Sequence, residues 1–299
     1  MSDGAGGARC PFCGGAAAVL LCTPDRNRRT DARIFTLRRC AVCGLIALED
    51  PPADLAPYYA GGYHGMPRDA AELDRWAEND RPKLDLLLAH VQAGRLLEIG
   101  PGIGMFARLA QRQGFAVSTI EIDPACVRFM RESLRVRAIE SADPAAVLGE
   151  DPTRYDAICL WHAIEHLRCP WAVIAAAAAR LDPGGVLLVA TPNPDSRQAR
   201  LLGPLWPHWD APRHLFLLPP AWLTARAAEA GLRLEHATTR DAGGLYWNRF
   251  TWAMLGKPLL SWRNLGWRLG MRLGGLLDPW DGAEGKGAAY TAVFRRPPP

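Results

Sequence analysis

Cys10-Pro-Phe-Cys13 and Cys40-Ala-Val-Cys43 place four thiols in two pairs with 26 residues between them, and each pair runs directly into glycine. Two residues between cysteines let both thiolates reach one ion, and four sulfurs complete a tetrahedral zinc with no position left for water. The spacing therefore predicts a structural zinc held by Cys10, Cys13, Cys40 and Cys43. A redox-active pair would sit between a strand and a helix, and neither pair does. Cys22 is a spare, expected as a small buried hydrophobe.

A second constellation is Glu98-Ile-Gly100-Pro-Gly102-Ile-Gly104, followed 17 residues later by Glu121. Glycines permit a sharp turn and let a ligand lie against bare backbone, and an acid ending the next strand can accept both hydrogen bonds of a ribose diol. The pattern is G-x-G-x-G and not the G-x-G-x-x-G of dinucleotide sites, and Glu98 would repel a pyrophosphate. It suits a cationic, amino-acid-bearing ligand.

The third is Trp161-His162-Ala-Ile-Glu165-His166, with His208 and His214 further on. On a helical turn the two imidazoles four apart would share a face. A metal is a poor reading of that pair, because the His-Glu-x-x-His order is absent. His162 is expected as a general base for a hydroxyl acceptor, with His214 the second catalytic candidate and His166 a structural hydrogen-bonding residue.

These residues need a scaffold, and the chain supplies one in alternating elements. AAAVLLCT and RIFTLRRC read as short strands around the turn PDRNRRTD, the plan of a ribbon over residues 1–50. Residues 51–83 read as a linker and N-terminal cap in which Tyr58, Tyr59, Tyr63 and His64 cluster, either as pocket contacts or as simple packing. From Leu84 to residue 240 helix and strand alternate: LDLLLAHV, RLLEIG, MFARLAQRQG, FAVSTIEID, a helix capped by Asp123 with Pro124 first, YDAICLW, a helix from Pro170, and GVLLVAT. Repeated units of this kind predict an α/β fold, a doubly wound and mostly parallel sheet that binds ligands at the carboxyl ends of its strands. Residues 203–218 are an insertion whose Trp206, His208, Trp209, Arg213 and His214 suit an acceptor pocket or a packed loop.

With 299 residues, 49% of them hydrophobic, the chain has room for one large domain and a small one. A net charge of +4 does not point to nucleic acid. The start, MSDGAGGARC, lacks a basic segment followed by an apolar one, and no apolar run is long enough to span a bilayer, so a cytoplasmic protein is expected. Eight of the eleven tryptophans follow residue 205, and Trp262, Leu265, Leu269, Leu273 and Leu276 form one helical stripe beside Arg263, Arg268 and Arg272. Residues 245–280 could thus pack at home, form a homodimer, cover a substrate or lie on a membrane surface. AAYTAVFRR reads as a closing strand within residues 241–299.

LLEIGPGIGMFARLA, IEIDPACV, YDAICLWHAIEHL and LDPGGVLLVATPN, in that order, resemble the successive motifs of the class I S-adenosylmethionine-dependent methyltransferases. The resemblance implies the Rossmann-like seven-stranded methyltransferase fold carrying the small zinc ribbon. It implies S-adenosylmethionine as cofactor, its methionine part near Glu98, Gly100, Gly102 and Gly104. Glu121 would take the ribose, Ile122 the adenine and Asp143 the adenine amine, unless Asp143 caps the short helix that follows. Trp161 and His162 would line the cofactor sulfur and the acceptor. The ribbon followed by a Tyr-rich segment is similar to methyltransferases of small metabolites, which implies O-methylation of a natural-product, sugar or glycan intermediate. A zinc-ribbon RNA methyltransferase, or a cofactor-sensing nucleic-acid binder without catalysis, is the alternative, supported by the Arg26–Arg39 cluster.

Overall fold

The computed structural model describes residues 8–59, 65–260 and 262–298, so Tyr63 and His64 lie outside the described residues. Strands β1 (Ala17–Pro24), β2 (Ile34–Cys40) and β3 (Ile46–Leu48) form an antiparallel ribbon, as the two cysteine knuckles require. The short helix α1 (Ala56–Tyr59) leads to α2 (Ala70–Ala77) and α3 (Arg81–Leu88). Helix α2 falls in the stretch read as a linker. Its N-cap is Asp69, whose carboxylate accepts from Glu72 N, and it buries Leu73 and Ala77.

The parallel core follows as β4 (Arg95–Ile99), α4 (Met105–Gln113), β5 (Ala116–Glu121), α5 (Pro124–Phe129), β6 (Arg137–Glu140), α6 (Pro144–Glu150), β7 (Tyr155–Trp161), α7 (Pro170–Arg180) and β8 (Leu181–Pro192). Then come α8 (Arg197–Leu202), β9 (Phe216–Leu217), α9 (Pro220–Glu229), β10 (Arg233–Thr238), α10 (Ala242–Gly256), α11 (Leu265–Asp281) and β11 (Ala289–Arg295). The seven-stranded sheet has the order β10-β11-β8-β7-β4-β5-β6, with β11 antiparallel to both neighbours, as expected of the closing strand. The order reverses beside β4, and there the carboxyl ends of β4 and β7 open a crevice for a ligand. Strands β4, β7 and β8 are buried on both faces and read as apolar runs for that reason.

The segment 203–218, read as an acceptor pocket or a packed loop, packs against the ribbon. β9 extends the ribbon sheet by pairing Ile46 with Leu217 and Ala47 with Phe216. Arg213, 1% exposed, sends its guanidinium to Asp25 of the ribbon at 2.7 and 3.2 Å and to Asp210 at 2.6 and 3.0 Å. Asn27 adds bonds to the Pro207 carbonyl and the Asp210 carboxylate. Trp206 and Trp209 are buried in the same seam. The insertion thus fastens the ribbon to the core, because a ribbon this small has too little apolar surface of its own.

Cys22 is exposed on the ribbon, 3.6 Å from Thr36 Oγ1, and not buried as its type suggested. Alternation along β1 faces it outward once its neighbours Leu21 and Thr23 face the core side.

Candidate active site and metal centre

In the ribbon the four thiols of Cys10, Cys13, Cys40 and Cys43 converge within 4.8 Å of one another. Cys10 Sγ lies 3.7 Å from Cys43 Sγ and Cys13 Sγ lies 3.5 Å from Cys40 Sγ. A tetrahedron of metal–sulfur bonds of about 2.3 Å has edges of about 3.8 Å, so the donor set fits zinc and is far too open for disulfides. The Val42 and Cys43 amides each point at Cys40 Sγ at 3.4 Å. Burial alone would raise that thiol, but these amides and the neighbouring thiols bring it down to about 6. Metal analysis of protein purified without chelator is expected to return one zinc per chain. A folded protein carrying none would remove this centre.

At the head of the crevice, β4 ends in a glycine turn. Gly100, Gly102 and Gly104 all have positive φ, at 72°, 55° and 83°. A Cβ on Gly100 would meet Ala163 Cβ at 2.6 Å, so the turn is both left-handed and crowded. Glu98 is 3% exposed and its Oε2 is buried with no hydrogen-bond partner. Burial pushes its carboxyl up to about 8, while nearby Lys83 pulls the other way. Lys83 Nζ pairs with Asp80 at 2.9 Å and lies 5.7 Å from the Trp161 ring centroid, whose other neighbour is Phe106 at 5.2 Å. Asp80 and Lys83, at the start of α3, were missed by motif reasoning because they belong to no glycine turn. Their only signal was a paired acid and base opening a helix.

Glu121 ends β5, buried, taking Gly102 N at 2.8 Å on one oxygen and the amides of Ile122 and Asp123 at 2.8 and 3.0 Å on the other. Ile122 beside it is 64% exposed, an uncovered apolar surface at the strand end. Asp143 takes the cap part expected of it: its Oδ1 accepts from Ala145 N and Ala146 N, both at 3.1 Å, as the N-cap of α6.

Just past β7, His162 sits in the left-handed region at φ 54°, a conformation a non-glycine residue holds only under constraint. Its backbone amide is held by the Ala190 carbonyl at 2.8 Å and its ring packs 4.7 Å from that of Trp247 on α10. His162 Nδ1 faces Glu165 Oε1 at 3.6 Å. Glu165 is fully buried on the turn after β7, with Oε2 taking the Thr191 hydroxyl at 3.0 Å and Oε1 left without a partner. Burial opposes its charge, but His162, His166 and His214 around it hold the carboxyl well below the ordinary range.

His214 donates from Nδ1 to the His208 carbonyl at 2.8 Å, which turns its Nε2 toward Glu165 at 4.0 Å and Asp210 at 3.9 Å. His166 Nδ1 lies 2.9 Å from the Tyr59 hydroxyl and 3.0 Å from the Arg213 carbonyl, the structural part expected of it. Burial and the nearby His214 ring bring His166 down to about 4. Glu165, His166 and His214 together place three ligand atoms within 4.8 Å, a donor set that the sequence, read as His-x-x-x-His, did not suggest. Its third member arrives from the insertion.

Residues 70–237 match the model of a family described as methyltransferase domain, more than half of the chain. The chain is 33% identical over 145 residues to a ubiquinone biosynthesis O-methyltransferase of Xanthomonas campestris, covering 42% of this chain and 59% of that one. It is 34% identical over 122 residues to the enzyme of the same name in Xylella fastidiosa, covering 37% and 48%. It therefore spans about half to three-fifths of the length of these curated relatives. Among solved structures, a SAM dependent methyltransferase from Archaeoglobus fulgidus superposes with a TM-score of 0.52 at 15% identity, over 73% of this chain and 94% of that one, a likeness of fold.

Proposed function

The chain belongs to the methyltransferase domain family, and from that premise we propose that it moves a methyl group from S-adenosylmethionine to an oxygen of a small-molecule acceptor in the cytoplasm. Glu98 carries the reading. A buried carboxyl oxygen without a donor, at the edge of a left-handed glycine turn, fits an incoming ammonium group, whose charge would offset the burial that otherwise favours the protonated acid. Glu98 would hold the amino group of the cofactor, the glycine turn its amino-acid backbone, Glu121 the ribose and Ile122 one face of the adenine. Asp143 caps α6 through Oδ1, so the adenine amine would fall to its other carboxylate oxygen.

When bound, S-adenosylmethionine supplies an electrophilic methyl on a sulfonium. The protein's own task is then to place the acceptor in line with that methyl and to remove a proton from it. His162 is the base: with Nδ1 turned to Glu165, its Nε2 is left to accept the proton, and the buried carboxylate offsets the charge the ring gains. Trp161, packed on Phe106, and Trp247, packed on His162, would flank the acceptor and help exclude water.

The names of the relatives support an oxygen acceptor and lend nothing to a natural-product, sugar or glycan intermediate. The nucleic-acid alternative draws less support from the ribbon than the sequence lent it, since three of the six arginines, Arg33, Arg38 and Arg39, are paired with Asp31, Glu49 and Asp195.

S-adenosylmethionine at about 100 times its Kd is expected to stabilise the fold by about 2.7 kcal/mol, whereas NAD should leave the melting midpoint in place. Glu98→Gln should weaken S-adenosylmethionine binding about tenfold, since the amide cannot neutralise an ammonium. Stabilisation by NAD instead, or RNA binding with a steep salt dependence, would reverse the assignment.

A further inference from the structure

Helices α10 and α11 form a hairpin inserted between β10 and β11, and their contact is made of glycine. Gly266, Gly270 and Gly274 are the buried face of α11. A Cβ on Gly266 would come within 2.1 Å of the Gly256 carbonyl oxygen, and one on Gly270 within 2.4 Å of that of Trp252. The two backbones approach closely there; Trp267 packs beside the contact on Phe250 of α10, and the large side chains on the opposite face of α11 are turned outward.

The outer face of α11 consequently carries Leu269, Leu273, Leu276 and Trp280, 44%, 45%, 80% and 42% exposed and spaced i, i+4, i+7, i+11 on a single stripe. At the hairpin tip, Leu259 and Trp262 extend it at 79% and 70%. A helix that buries glycine and presents leucine to solvent inverts the usual arrangement, and an exposed apolar stripe of this length marks a contact surface.

Charge selects the partner. Arg268 and Arg272 stand exposed along one flank of the stripe and Lys257 at the tip. The acids of the hairpin are spent inward: Asp278 pairs with Arg249, and buried Asp281 takes Gln198 Nε2 and Trp252 Nε1, both at 2.7 Å. Next to the tip, a cleft of about 750 Å³ is lined by Arg26 and Arg29, by Asp25 and Asp31, which are paired with Arg213 and Arg33, and by the apolar Leu205, Met254, Leu255 and Pro258. A second copy of the chain docked through the stripe would bring two Arg268 and Arg272 rows together with no exposed acid between them.

We propose that the α10–α11 hairpin lies on an anionic lipid bilayer, with the leucine and tryptophan stripe in the acyl boundary and the arginines among the headgroups. No helix among the described residues is long and apolar enough to cross a membrane, so the contact is a surface one. It does not rest on the methyltransferase reading, although Trp247 of the same hairpin touches His162 and would set the reaction site close to the lipid.

Flotation of the full chain with vesicles of phosphatidylcholine containing about one-third phosphatidylglycerol, and with phosphatidylcholine alone, tests this. Co-flotation with the anionic vesicles only, weakened by salt, is expected. The double variant Leu273→Glu, Leu276→Glu should lose it at least tenfold while keeping the wild-type melting midpoint and S-adenosylmethionine affinity. Absence of flotation with either vesicle overturns the proposal. So does a dimer, seen by light scattering, that this variant dissociates.

Discussion

Replacing His162 by alanine is expected to lower turnover at least tenfold, and toward the ~10²-fold typical of a lost general base, with the Kd for S-adenosylmethionine essentially unchanged. The split follows from where the ring sits. Glu98, the glycine turn and Glu121 lie at the ends of β4 and β5, whereas His162 is one residue beyond β7 and reaches toward Glu165 and Trp247. Its removal empties the acceptor side alone. Glu165→Gln should lower kcat with little change in cofactor Kd, because the amide cannot balance a protonated imidazole. Activity that survives His162→Ala but disappears on chelation and returns with a divalent cation would transfer the work to Glu165, His166 and His214.

Arg213→Ala is the change with the largest expected effect on stability. Both Arg213 and Asp25 are buried, and removing the guanidinium leaves the carboxylates of Asp25 and Asp210 facing each other's side of the seam without a cation. Breaking such a pair by deleting one partner costs about 3–5 kcal/mol, a fall of roughly 10 °C in the melting midpoint for a chain of this size. Arg213→Lys should recover only part of it, since one ammonium cannot serve two carboxylates bidentately. Burial by itself raises the Asp25 carboxyl, but Arg213 and the Thr30 and Arg28 amides bring it down to about 2. A carboxyl depressed in the fold stabilises it above its ordinary value near 4, and that stabilisation is lost as pH falls from 4 toward 2. The variant should show a flatter acid limb over this window, and equal acid sensitivity of the two proteins would remove Arg213 from this part.

What the sequence made legible was local. The strands, the cap at Asp123, the glycine turn and the two cysteine knuckles each depend on residues within a few positions of one another. Asp143 was legible too, as a cap with Pro144 at the first helical position, and the implied adenine contact was the less local of its two readings. The ribbon clamp was not legible, because Arg213 meets Asp25 across 188 residues and nothing in either neighbourhood announces the other. For the same reason the Glu165 cluster could not be read: His214 joins it only once the insertion folds back. The stripe on α11 was visible, but its outward direction depends on glycines whose role appears only when α10 is packed against them.

The pairing of β3 with β9 also orders events in time. Cys10, Cys13, Cys40 and Cys43 all precede the insertion by at least 160 residues, so the knuckles can close, on zinc if they bind it, while the chain is still being synthesised. Ile46 then waits for Leu217, and Asp25 for Arg213. At about 5–20 residues per second that interval is on the order of ten seconds or more. Throughout it the ribbon has an open β3 edge and an uncompensated acid at the place where the insertion will seat. An unfinished edge of that kind is a template for pairing with a neighbouring nascent chain, and the arrival of β9 is what closes it.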